Sequence, residues 1–466
     1  IMTDCWSYDE KKRPNAKQCN TELEWIPVAI PSVPDPSATK VRSSELLCSV
    51  ARMYMLQDDF HAVEDLLQEA LAVARSGEDC SSEIRALCEI GRSRVLRGDS
   101  MGAKPSLSMM RDMSAQVRSE LDEALALSLL GAIFAIQMEF GEAQQLINQA
   151  QSTAELMGDE IFQAEVLMIQ AAGYIAQFQV DPAHEAATKA LEIFTRFEDF
   201  SGAAGVMCIL GFTYLARGLH EKAEEFLQRS NKVWARLGWK LGQAVGLFAM
   251  GLVYLCLERY PEAEAHLVQA KAIFETIGNE YARGATLLAL GNGYRAQAKY
   301  AEATSSHKEA CIAFERSSNH FFHASALTEL GALHSIQSKD DESKEFYFKA
   351  LFISNGVEDH LPRAQLLWQL GCALKDCGEY SKAEAAFIGA AEGSALAGRE
   401  PEEADALHRL AILYLTQSKS EQLEETCKQA LAVYTRLGND EGRTKHLMLL
   451  AMLSSSKEEA IALATE

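Results

Sequence analysis

Two residue pairs have types and spacings from which chemistry is commonly built. Cys372 and Cys377 lie close together, and His320 and His323 stand three apart in FERSSNHFFHA. A zinc site would need a matching second pair beside the cysteines, and none follows; the 11 cysteines run from Cys5 to Cys427 without a CxxC. The two histidines lack a third ligand at useful spacing, so they read as a turn or helix start. Eleven histidines scattered along the chain support no Ser-His-Asp set from order alone. A Gly-rich phosphate loop, an HRD and a DFG are all missing, and phosphoryl transfer needs each of those parts. No catalytic residue, metal or cofactor is expected in this chain.

The charge balance narrows the partners. With 44 basic and 66 acidic residues the net charge is −22, the wrong sign for a phosphate backbone, so nucleic acid is not expected. Apolar runs are broken by charge every few residues, whereas a membrane span needs roughly 20 unbroken apolar positions. Unpaired thiols and a start, IMTDCWSYDEKK, without an apolar signal core fit an intracellular, cytoplasmic protein. Beginning at Ile1 suggests a fragment.

With little to catalyse, the question becomes what the chain positions. Steps of forty from Ala51 land on Gly91, Gly131, Ala171, Gly211, Gly251, Gly291, Gly331, Gly371, Ala411 and Ala451. Such a period marks a solenoid of stacked units. Three residues on come Phe134, Tyr174, Tyr214, Tyr254, Tyr294 and Tyr414, and twelve on come Ala103, Ala143, Ala183, Ala223, Ala263, Ala303 and Ala383. With Leu, Ile and Phe between them at helical spacing, each unit reads as two antiparallel helices, A and B. In the seventh unit A should span about Glu280–Gln297 and B about Tyr300–Arg316. A glycine inside a helix costs about 1 kcal/mol against alanine; here it should let the partner backbone approach, with the tyrosine filling the gap. Prolines check the register, being tolerated only in a first turn. Pro182 and Pro261 open B helices, Pro362 and Pro401 open A helices, and Asp181 should cap the helix that starts at Pro182. Pro105 falls inside the second B helix and should make that helix start late.

These columns resemble the tetratricopeptide repeat, over residues 41–466. The forty-residue length is similar to the Pins/LGN polarity adaptors and, less closely, to kinesin light chains. The resemblance implies an all-α, right-handed α-solenoid of about 10–11 helix-turn-helix repeats, a superhelix with a concave partner-binding face. The last repeat should be truncated or capping, its helix A ending near Leu453. Residues 1–20 fall outside the columns: Cys5, Trp6, Asp9, Arg13 and Pro14 look like the C-terminal tail of a protein kinase domain of the tyrosine-kinase-like group. Residues 21–40 read as a Pro-rich, apolar linker.

By the same resemblance the concave face lies three residues before the Gly/Ala column and one and four after it. Those positions hold Met168, Cys208, Phe212, Phe248, Leu252, Leu288, Asn292, Arg295 and Trp368. Asn292 is the only asparagine in its column, a departure from the asparagine ladders and carboxylate clamps of the family, and favours an apolar peptide or helix as partner. Two readings stay open at this point: a binding groove, or core between tightly stacked helices. The function expected is a protein-interaction scaffold; the alternative is the regulatory or substrate-recruiting region of a kinase, with possible intramolecular contact to an upstream kinase domain.

Overall fold

The computed structural model describes residues 43–56, 59–177 and 179–453. The kinase-like stretch, the linker and the tail after Leu453 lie outside the described residues.

Among these residues every regular element is an α-helix, 21 in all. The chain divides into two compact units, the first reaching Gln297 and taking in Arg316–Ser318, the second formed by Ala298–Glu315 and Asn319 onward. The first unit holds α1 (Ser44–Leu56), α2 (Phe60–Ser76), α3 (Cys80–Leu96), α4 (Ser100–Val117), α5 (Glu120–Ile136), α6 (Phe140–Met157) and α7 (Glu160–Ala176). It continues with α8 (Val180–Arg196), α9 (Phe200–Ala216), α10 (His220–Leu237), α11 (Lys240–Cys256), α12 (Tyr260–Ile277) and α13 (Glu280–Ala296). The second holds α14 (Tyr300–Arg316), α15 (His320–Ile336), α16 (Asp340–Ser354), α17 (His360–Asp376), α18 (Tyr380–Leu396), α19 (Glu400–Thr416), α20 (Ser420–Arg436) and α21 (Asp440–Leu453). Odd-numbered helices are the A helices and even-numbered ones the B helices, as the columns require.

Most connections have one form. A left-handed residue stands one position before the last residue of the turn at Glu78, Gly98, Arg118, Met138 and Gly158, and at twenty-residue steps from Glu198 to Ser338 and from Gly378 to Gly438, with φ between 52° and 78°; the longer connection after Ser354 is the exception. The next residue's N–H returns to a carbonyl in the last helical turn, as in Asp99 N–H to Arg94 O (2.9 Å) and Asn279 N–H to Phe274 O (2.9 Å), which closes the helix C-terminus. That same residue often caps the following helix through its side chain, as Asp79, Asp159, Asp199 and Asn319 do. A 17-residue helix plus such a turn gives twenty residues, half the sequence period.

The glycine column lies inside helices and is buried, but what it admits differs from expectation. A Cβ on Gly91 would stand 2.3 Å from Leu107, on Gly211 2.6 Å from Leu227, on Gly331 2.5 Å from Tyr347 and on Gly371 2.7 Å from Phe387. A large side chain sixteen residues on, not a backbone, fills the space. The tyrosines reach the other way: Tyr254 donates to Glu224 Oε1 (2.8 Å), Tyr294 to Glu264 Oε1 (2.9 Å) and Tyr414 to Glu384 Oε1 (3.0 Å), each on the preceding B helix. They pin neighbouring pairs together, and Tyr254→Phe is expected to cost about 1 kcal/mol, read as a lower urea midpoint with unchanged helical content.

Two local expectations fail. The helix α4 runs unbroken from Ser100 with Pro105 inside it. Pro105 removes one bond, to the carbonyl of Met101, at the helix start where Met101 is 58% exposed; Asp99 caps Gly102 N–H and Arg94 Nη1 donates to Gly102 O at 2.8 Å. Asp181 is not an N-cap: α8 begins at Val180 after Gln179, and Asp181, within its first turn, pairs with Arg217 at 2.7 Å.

Candidate functional site

Successive A helices pack on one another as well as on their B partners, and the proposed partner-binding residues lie along this A-helix wall. In the first unit Met168 of α7 reaches α9, its Sδ 3.0 Å from the Cβ position of Gly205. Cys208 is buried among Ala249, Met250 and Val253 of α11, with Phe212 and Leu215 flanking the same cluster. Phe248, Leu252 and Leu255 of α11 lie against Leu267, Ala289 and Leu290. Cys208 is buried, at 5% exposure, whereas Met168, Phe212, Leu215, Phe248, Leu252, Leu255, Leu288, Asn292 and Arg295 are half-buried. The wall is therefore neither sealed core nor free surface.

The wall is mostly uncharged, and its polar atoms are few. Asn292 Oδ1 is buried without a hydrogen-bond partner. Arg92 of α3 and Glu165 of α7 influence one another, although α5 lies between them in the chain. Burial holds the Glu165 carboxyl above its usual range, and Arg92 works against that.

Trp368 falls in the second unit, on α17. It is half-buried, its Nε1 has no hydrogen-bond partner, and the guanidinium of Arg409 on α19 lies 5.4 Å from its ring centre. A groove of about 780 Å³ in the same unit runs between α18 and α20, floored by Leu407, Leu410 and Tyr414 and rimmed by Glu392, Glu421 and Glu424.

Three buried thiols are held in the protonated form. Burial pushes the thiols of Cys88, Cys208 and Cys311 up to about 12, far from the thiolate state that nucleophiles need. Among the described residues no group of three or more His, Cys, Asp or Glu could hold a metal. His320 is the first residue of α15, and His323 lies in its first turn. His408 and His446 face each other on α19 and α21, ring centres 5.2 Å apart.

His446 is 0% exposed, hydrogen-bonds Gly442 O through Nδ1 (2.9 Å) and leaves Nε2 without a partner. Burial lowers both pKa values, with Lys445 adding to the effect at each and Asp405 opposing it at His408. The unfolded chain therefore takes up protons more readily than the folded one as pH falls below about 6.5, so this end of the array loses stability on acidification and keeps it above. Amide exchange in α21 should quicken severalfold between pH 7.5 and 5.5 after correction for intrinsic rates; His446→Gln should reduce the pH dependence to the part that His408 supplies, and His408→Gln with His446→Gln should remove it.

Comparison with known proteins agrees with this architecture. The tetratricopeptide repeat model matches residues 203–276 and 242–316, so the chain carries such repeats there. No curated protein sequence matches the chain. Among solved structures, a Rap protein complexed with competence and sporulation factor is 19% identical, with TM-score 0.51, over 81% of this chain and 99% of that one. The human IFIT1 dimer with m7Gppp-AAAA is 14% identical, with TM-score 0.51, over 92% of each chain. At these identities the likeness is one of fold. Among the described residues no helix is long and apolar enough to cross a membrane.

Proposed function

We propose that this chain is a protein-interaction scaffold whose A-helix wall takes an apolar peptide or helix from a partner protein. One observation carries the reading: half-buried apolar side chains, Met168, Phe212, Phe248, Leu252 and Leu288, recur on four consecutive A helices. Such a surface rewards anchors that fill gaps between helices, and a few anchors supply most of the affinity of an interface. The Rap structure, bound to a factor, is compatible with this use of the fold. The ligand in the IFIT1 structure is the alternative class; a net charge of −22 and a mostly uncharged wall weigh against it.

Selection of a random peptide display library on the purified chain tests the proposal. Enrichment of sequences with two or three spaced apolar anchors, competing with one another, is expected. Binding of capped RNA oligonucleotides in preference to peptides would overturn it. The reading of a kinase-associated array rests on Cys5, Trp6, Asp9, Arg13 and Pro14 and would gain from HRD and DFG motifs in the full-length sequence upstream of Ile1.

A further inference from the structure

Five arginines belong to the second unit, and four of them reach a side-chain oxygen. Arg399 pairs with Glu402 at 2.6 Å, Arg436 with Glu400 at 2.7 Å and Arg443 with Asp440 at 3.1 Å, and Arg363 Nη2 donates to Asn355 Oδ1 at 3.3 Å. Arg409 is the fifth. It pairs with no acid among the described residues, although Asp405 lies one turn before it on α19. Its guanidinium lies instead over the indole of Trp368 on α17, 5.4 Å from the ring centre. Arg409 Nε and Trp368 Nε1 are both buried without hydrogen-bond partners, yet both residues are only half-buried as a whole, so the pair is not sealed. An aromatic face fixes the plane of a guanidinium without consuming its donors. The surrounding charges register at Cys372, one turn after Trp368: burial raises its thiol pKa, Arg409 and Lys375 pull it down, and Asp376 and Asp405 push it up. Lys375 and Asp376 stand 3.7 Å apart and offset each other, which leaves one arginine and one aspartate here without an ion-pair partner.

We propose that Arg409, held in plane by Trp368, is a seat for one carboxylate of a bound peptide, either an acidic side chain or the C-terminus. A guanidinium fork takes a carboxylate through two parallel N–H···O bonds. One unpaired arginine matches one negative charge, whereas a phosphate dianion would bring a second charge toward Asp405. The seat lies wholly on α17 and α19 of the second unit. It does not depend on the first unit's wall being a groove, and either can fail without the other.

Fluorine NMR of the full chain carrying 5-fluorotryptophan tests this. The chain has five tryptophans, and the signal lost in Trp368→Phe is that of Trp368. Four probes are titrated: N-acetyl-leucine, with a terminal carboxylate; N-acetyl-glutamic acid α-amide, with a side-chain carboxylate; N-acetyl-leucinamide, with none; and inorganic phosphate. A saturable shift of the Trp368 signal is expected with a carboxylate probe, and the tighter of the two separates terminus from side chain. Arg409→Gln should weaken that binding by about tenfold or more, and Arg409→Lys, which keeps the charge and loses the fork, severalfold. Asp405→Asn removes a repelling charge and should tighten binding severalfold, a gain that damage to the fold does not produce. No saturable shift with either carboxylate, an equal shift with N-acetyl-leucinamide, or tighter binding of phosphate would overturn the seat. So would unchanged binding in Arg409→Gln or weaker binding in Asp405→Asn.

Discussion

Gly131→Ala and Gly251→Ala should each destabilise the fold by about 1–3 kcal/mol, even though alanine is the better helix former by about 1 kcal/mol. The new methyl on Gly251 would meet Leu267 Cγ and Cδ2 at 2.6 Å, and Leu267 is 0% exposed. On Gly131 it would meet Ile147 Cγ1 at 2.7 Å and the carbonyl of Ala143 at 3.3 Å. Neither neighbour has open space into which to turn. Gly173 supplies the opposite case: it lies inside α7 with nothing within 4 Å of its Cβ position. Gly173→Ala should therefore stabilise by about 0.5–1 kcal/mol through propensity alone. Urea titration of the three variants, with the Gly131→Ala, Gly251→Ala double substitution showing near-additive loss, checks the pattern. Equal stabilisation by all three would mean that the column does not set the helix spacing.

The second large effect concerns binding. Phe212→Asp with Phe248→Asp should leave helical content intact and weaken a selected peptide by at least about a hundredfold, the scale of losing two interface anchors. Both rings are half-buried, with one flank on the core, so some loss of stability accompanies the change; a carboxylate on the open flank can reach water. If the double variant instead melts cooperatively at room temperature, the rings are core and the wall is not a groove. Titration calorimetry of the peptide and circular dichroism of the free protein separate the two outcomes.

The period and the helix pairing were legible because they rest on side-chain size. A position that must admit Leu227 or Phe387 has no room for a Cβ, and Gly211 and Gly371 record that. Helix bounds followed: α13 and α14 run Glu280–Ala296 and Tyr300–Arg316, within a residue of expectation. What was missed depends on backbone geometry or on distance. The twenty-residue recurrence of left-handed turn residues is filled by Glu78, Arg118, Met138 and Ser338 as well as by glycine, so residue type alone hides it. Pro105 was misjudged because the rule against interior proline ignores an exposed carbonyl near a helix start. The Tyr–Glu bonds did leave a trace, glutamates thirteen residues after the column at Glu224, Glu264 and Glu384. The 3.0 Å bond from Asn279 Nδ2 to Leu96 O left none, since nothing in local sequence pairs residues 183 apart. The division of the site, with Trp368 in one unit and Phe212 in the other, is equally silent in a uniform period.

Hydrogen exchange of the full chain with and without a saturating selected peptide bears most directly on the central proposal. Protection concentrated on α7, α9, α11 and α13, around Met168, Phe212, Leu252 and Leu288, is the expected result. Protection confined to the α18–α20 groove near Glu392 and Glu421, or to residues 1–42, with those four helices unchanged, would contradict it.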